Sequence, residues 1–311
     1  MERSWQLAIM PHIVVTQPME FSKEQKERLD KLGNVTYYDN SAKTPDEWLE
    51  RAKGFNIICT GGFGFRDKWR ELRDVFVSVP FVSTSWADPA VLKKQNVTVS
   101  NSPGCNRHAV SEWIVAMMLI MARQMDKYLR VKELATEMIR KPTMGLAFKK
   151  ITILGKGNIG TRVGAIAEAL EMEVTYFRRG DNLADKVKDA DVVIDCLGSN
   201  PTTKGMLNQS FFDSVKKEAM FISITGETIV DIEAMLTALD SGKLSYVAHD
   251  SGGISIGDTN DPFYKKLLAH PKVYVTPHIA FNTDVERKMS NDMMIDNVEA
   301  WVKGKPVNVV V

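Results

Sequence analysis

The stretch "ITILGKGNIGTRVGAIAEALEMEVTYFRR", residues 151–179, decides the fold. An apolar run at 151–154 leads straight into Gly155-x-Gly157-x-x-Gly160. Apolar residues then recur at Val163, Ile166, Ala167 and Leu170, the spacing of one helix face. "EVTYF" (173–177) returns to strand composition. Strand, glycine turn, helix and strand within thirty residues form a βαβ unit of the dinucleotide-binding kind. Its glycines serve a tight turn, backbone access for a pyrophosphate, and close packing of helix on strand. Amides at Asn158 and Ile159 would point at the phosphates from the helix N-terminus. Where an acidic residue would bind a ribose 2′-hydroxyl, the sequence places Arg178 and Arg179. Guanidinium groups pair with a 2′-phosphate that a carboxylate would repel, which predicts NADP(H) over NAD(H). The competing reading is a solvated surface pair.

Outward from this unit, strand-like and helix-like segments alternate. "HIVVT" (12–16) and "NVTYY" (34–38) flank the charged helical stretch 22–33, and "FNIICTGG" (55–62) is a third strand. Residues 66–76 read as helix, and "PFVSTS" (80–85) and "VTVSNSPG" (97–104) as further strands. The pattern predicts an α/β fold of doubly wound parallel sheets. Residues 107–131 read as one long helix, apolar nearly all round through its middle and so buried between two bodies of protein. A final helix over 285–304 is followed by a tail strand, "VNVVV", that needs a sheet partner.

The chain has 311 residues, 44% hydrophobic and 25% charged, which suits about two soluble domains. Forty basic and 39 acidic residues leave a formal charge of +1, with no global attraction to nucleic acid or membrane. Cys59, Cys105 and Cys196 lack disulfide or zinc spacing, and the five histidines show no metal-ligand spacing. With no signal peptide and no membrane-length apolar run, a reduced, cytoplasmic protein is expected.

From about Cys59 onward the chain resembles the D-isomer-specific 2-hydroxyacid dehydrogenases. "VTVSNSPG" followed by "AVSEW" is similar to the strand, turn and linker helix that open that family's cofactor domain. "ADVVIDCLGSNPTTKGMLN" (190–208), "IVDIEAMLTALDSGKLSYVAHD" (229–250) and "DPFYKKLLAHPKVYVTPHIA" (261–280) resemble its later segments in order. The resemblance implies two Rossmann-like domains around a cleft: a substrate domain (1–103), a dinucleotide domain (104–285) and a C-terminal helix and strand (286–311) returning to the first. It also implies a homodimer built around the helix near 107–131, a small-molecule substrate, and hydride transfer between a nicotinamide and a 2-keto acid. Cys196, Leu197, Thr203, Ile224, Thr225 and Asp250 would line the cofactor. Gly61, Gly62 and Phe63 would hold a substrate carboxylate through backbone amides, although that loop also reads as a simple strand-end turn.

The family uses a histidine acid/base, a glutamate beside it and an arginine on the substrate. His278 in "VTPHIAF" matches the histidine, and imidazole suits proton exchange near neutrality. The glutamate position falls at or beside Gly253, with Asp258 and Asp261 further along a loop that could bend back. The arginine position falls at Gly226 in "FISITGETIVD" (221–231), between Thr225 and Glu227. Losing one preorganised donor to a developing oxyanion costs about 3 kcal/mol. Three expectations follow: a reductase acting on an altered carbonyl or imine substrate; an ordinary 2-keto acid reductase with Arg66 or Arg107 replacing the missing cation; or a non-catalytic NADP(H)-binding sensor.

Overall fold

Short apolar runs become the central strands, buried on both faces as parallel sheets covered by helices require, while the edge strands at 34–37 and 173–177 alternate with exposed residues. The computed structural model describes residues 10–84, 86–129, 142–250 and 256–310. The chain divides into two units, Met1–Asn106 with Thr283–Val311, and Arg107–Asn282.

In the first unit, β1 (His12–Val15), β2 (Asn34–Tyr37), β3 (Ile57–Cys59), β4 (Phe76–Ser78) and β5 (Thr98–Ser100) form a parallel sheet in the order β2-β1-β3-β4-β5. Val14, Ile58, Val77 and Val99 point to one face, under Trp48, Phe65 and Trp69. Ile13, Val15, Ile57, Cys59 and Phe76 point to the other, under Leu29 and the closing helix (Asp284–Val302) through Met294, Ile295 and Val298. Three local readings of the sequence are corrected here. Residues 66–76 do not make one helix: a single turn at Phe65–Lys68 and a 3₁₀ turn at Trp69–Glu71 precede β4. The strand lies at 76–78 rather than 80–85, because Phe76 and Val77 fill opposite faces of the sheet. The tail makes one antiparallel bridge, Val309 to Ser100, rather than a strand.

In the second unit, β6 (Lys150–Leu154), β7 (Glu173–Phe177), β8 (Val192–Asp195), β9 (Ala219–Ser223), β10 (Leu244–Asp250) and β11 (Val273–Thr276) are also all parallel, in the order β11-β10-β9-β8-β6-β7. The helix Arg107–Arg123 buries Ile114, Met118 and Met121 on one face of this sheet, beside Val163 and Ala167 of the helix Asn158–Ala169. Ile166 and Leu170 are only partly buried. The long helix is not continuous through the described residues: Gln124 is left-handed (φ 48°), and a separate turn, Met125–Tyr128, follows. On the side turned away from the sheet, Leu119 is 39% exposed. Among the described residues no helix is long and apolar enough to cross a membrane.

Gly64 holds a left-handed φ of 73°, and a Cβ there would lie 2.3 Å from Cγ of the buried Trp48. Both the backbone and the packing exclude a side chain. Gly64→Ala should lower unfolding free energy by about 2 kcal/mol in a chemical denaturation series, well beyond a simple helix-propensity effect.

Candidate active site

In an open parallel sheet, ligands bind beyond the strands' carboxyl ends, where the strand order reverses. In the second sheet that point lies between β6 and β8, and the glycine loop sits on it. Gly155 (φ +101°) follows β6, and a Cβ there would be 2.9 Å from the Cys196 carbonyl oxygen at the end of β8. A Cβ on Gly160 would stand 2.1 Å from the Gly155 carbonyl, whereas one on Gly157 would meet nothing within 4 Å. Two of the glycines therefore allow close packing, and the middle one faces open space. The amides of Lys156, Gly157, Asn158 and Ile159 donate to no described group. This array of free amides at a helix N-terminus is a fitting cradle for a pyrophosphate.

Arg178 and Arg179 are exposed at the end of β7 and make no ion pair among the described residues. Their turn is closed by Asp181, whose carboxylate accepts from the Arg178 amide at 2.8 Å. Lys156 extends over the Tyr176 ring, 4.5 Å from its centroid.

At the adjoining edges, Cys196 continues β8, and burial pushes its thiol well above the usual range. The Thr203 hydroxyl donates to the Gly198 carbonyl at 2.8 Å, holding the loop after β8. That loop is tied to the one after β9 by Gly205 to Thr228 (2.8 Å) and Leu207 to Ile229 (3.0 Å). After β9 come Ile224, Thr225 and Gly226, with Glu227 exposed beyond them. Beneath this turn lies a carboxylate that sequence reasoning passed over, Asp195. It accepts from Ser223 Oγ (2.9 Å), from the Leu197 amide (3.1 Å) and from the Thr225 hydroxyl. A lone acid ending the apolar run "VVID" was the available signal.

Asp250 ends β10 fully engaged. One oxygen accepts from Thr276 Oγ1 (2.6 Å) and the Ile279 amide (2.8 Å), the other from the Ala280 amide (3.0 Å). The carboxylate thus pins the turn that carries His278 after β11. His278 itself is left-handed (φ 55°) and packs edge-on against Phe281. Gly253, the expected glutamate position, lies outside the described residues. Further along, the Gly257 amide donates to the Pro277 carbonyl at 2.9 Å. Asp258 closes a turn onto Asn260, and Asp261 caps the helix Pro262–Leu268.

In the first unit, strand order reverses between β1 and β3, and the loop Thr60 to Gly64 follows β3. Thr16 and Thr60 join the two strand ends by a 2.7 Å hydroxyl bond, and Trp48 Nε1 donates to Thr60 at 2.9 Å. The amides of Gly61, Gly62, Phe63 and Gly64 donate to no described group. The Arg66 side chain runs alongside Gly62, so that a Cβ there would be 2.9 Å from its Nε. Arg66 is exposed and makes no ion pair among the described residues. Arg107 donates instead to its neighbour His108, at 3.2 Å.

The model of the D-isomer specific 2-hydroxyacid dehydrogenase NAD-binding domain matches residues 115–280, more than half of the chain. The chain belongs to the D-isomer-specific 2-hydroxyacid dehydrogenase family. As a member it is an oxidoreductase working with a nicotinamide cofactor, and the free amides around Gly157 suit one. A glycerate dehydrogenase of Methylorubrum extorquens is 29% identical over 287 residues, 87% of this chain and 90% of that protein. A D-3-phosphoglycerate dehydrogenase of Haemophilus influenzae is 26% identical over 80% of this chain, which spans 64% of that longer protein. Among solved structures, an acyclic imino acid reductase in complex with NADPH and D-Arg superposes with a TM-score of 0.82 at 19% identity, over 96% of this chain and all of that one. D-2-hydroxyisocaproate dehydrogenase gives 0.76 at 20%, over 97% and 99%. At such identities these two likenesses speak for the fold alone.

Asp250→Asn keeps the size of the anchor but removes its charge and turns a donor toward groups that themselves donate. It should cost about 2 kcal/mol of stability, read by chemical denaturation, and should speed proteolysis in the His278 turn.

Proposed function

We propose that this family member is an NADP(H)-dependent reductase of a carbonyl or imine compound, with His278 as the proton donor and a substrate altered from simple 2-keto acids. The observation that carries the reading is the turn at Gly226, which offers no cation to a developing oxyanion and is followed by the exposed Glu227. A positively charged iminium carbon needs no such cation and would be repelled by one, so this turn suits an imine better than a keto acid.

NADPH, when bound, supplies the hydride. The chain's own groups do the rest. Amides of residues 156–159 hold the pyrophosphate, and Arg178 and Arg179 grip the 2′-phosphate. Ile224 to Gly226 form an edge beside the nicotinamide. Asp250 fixes the turn bearing His278, whose imidazole gives its proton to the reduced oxygen or nitrogen and recovers it from solvent.

A second reading has a specific observation behind it. Arg66 lies along a loop whose four amides are free, a combination fit to hold a carboxylate. In that case Arg66 replaces the missing cation, and ordinary 2-keto acids are reduced. For assembly, we extend the proposal to a homodimer through the exposed apolar side of the helix Arg107–Arg123.

Three measurements test these readings. Arg178→Asp should weaken NADPH binding by about tenfold or more and leave NADH nearly unchanged; tighter NADH binding in the unaltered protein would defeat the cofactor assignment. His278→Gln should bind NADPH normally while turnover falls by about a hundredfold or more. In a panel of 2-keto acids and imines followed by NADPH oxidation, turnover confined to imines or neutral carbonyls supports the first reading. Brisk 2-keto acid reduction that disappears in Arg66→Ala supports the second.

A further inference from the structure

The last core layer of the second sheet, on the side away from the helix Arg107–Arg123, is polar where the layers below it are apolar. Asp195, Ser223 and His249 are register partners across β8, β9 and β10, all at 0% exposure. One layer lower, the same three strands present Val193, Phe221 and Val247. Leu154 of β6 flanks the polar row on one side and Val275 of β11 on the other. The acid has no cation: Asp195 makes no ion pair among the described residues. An unpaired buried carboxylate is costly, so its retention in a core layer calls for a role that an apolar residue could not fill.

Its bonds point to that role. The carboxylate accepts from the Leu197 amide in the loop after β8 and from the Ser223 and Thr225 hydroxyls at the end of β9. The Thr225 amide in turn donates to Ser223 Oγ at 3.1 Å. Two loops that leave adjacent strands are thereby tied to one buried charge. We infer that Asp195 is a positioning residue for the nicotinamide cofactor, holding the turn through Thr225 and Gly226 in register with the loop at Leu197. The inference rests on the cofactor reading above, since it assumes that these loops form the cofactor's edge.

The charge state matters because only the carboxylate can accept all three bonds; a protonated acid must donate one. Burial pushes the Asp195 carboxyl up to about 6. The titratable groups around it will not mask this step. Cys196 on the same strand stays a thiol, and His249, beyond Ser223, is pushed down to about 4 by burial and stays neutral. A folded-state value above the ordinary carboxylate range gives stability that is full below about pH 4 and is lost as pH rises through about 6. At neutral pH the ionised group therefore costs stability while it organises the loops.

The test is NADPH binding, followed by fluorescence between pH 5 and 8, with thermal unfolding in parallel. In the unaltered protein affinity should fall as pH drops through about 6. In Asp195→Asn it should be about tenfold weaker at pH 7.5. The 2′-phosphate of the ligand titrates in the same range, but it is common to both proteins and drops out of their difference. The variant should unfold at no lower temperature at pH 7.5, a result that a merely structural acid would not give. Thr225→Val, which removes one of the three donors, should reproduce the weaker binding if Asp195→Asn folds poorly. Equal affinity and an identical pH profile in unaltered and variant proteins would overturn the inference while leaving the cofactor reading intact. An unaltered protein that binds neither NADPH nor NADH would remove both.

Discussion

The second unit depends on one close approach, that of the Gly155 backbone to the Cys196 carbonyl between β6 and β8. Packed this tightly, the loop after β6 has no room for side chains at Gly155 or Gly160, and the helix starting at Asn158 is drawn down onto the sheet. The same contact leaves the amides of residues 156–159 with no acceptor among the described residues. Free backbone donors are tolerated at a surface because water reaches them, and they remain available to an anion. The need to pack a helix on a strand thus creates the phosphate cradle directly.

How much of this was legible varies with the kind of signal. The βαβ unit was readable because strand, glycine turn and helix face are all local patterns, and the two parallel sheets followed from alternation. Short strands were harder to read. Residues 66–76 carry enough charge to suggest a helix, yet Phe76 and Val77 are drawn into the sheet because each fills a different face of it. Tertiary burial overrode local composition there. The break at Gln124 was invisible because its left-handed backbone (φ 48°) carries neither of the usual signals for that conformation, glycine or asparagine.

Within the candidate site, Arg178, Arg179, His278 and the amides at Asn158 and Ile159 were named from the sequence, because each sits in or beside a recognisable motif. The anchoring acids were not understood. Asp250 was read as lining the cofactor, and its anchoring of the end of β11 and the turn after it through three hydrogen bonds was not foreseen. Asp195 was missed altogether. Such residues act through partners 26 to 30 positions away, as with Thr276, Ala280 and Thr225, and only strand register brings those partners close. The two acids also differ in kind: Asp250 draws on backbone amides, while Asp195 relies largely on hydroxyls.

The first unit is built from two separate lengths of chain. Met294, Ile295 and Val298 share with Leu29 the covering of the face formed by Ile13, Val15, Ile57 and Phe76, so part of that face stays open until nearly three hundred residues have been made. The second unit is continuous from residue 107 to 282 and needs nothing later in the chain to close its own core. On the ribosome the order of completion is therefore reversed relative to the order of synthesis. The cofactor-binding unit has its whole core in hand first, and one face of the N-terminal sheet is completed only when the closing helix arrives.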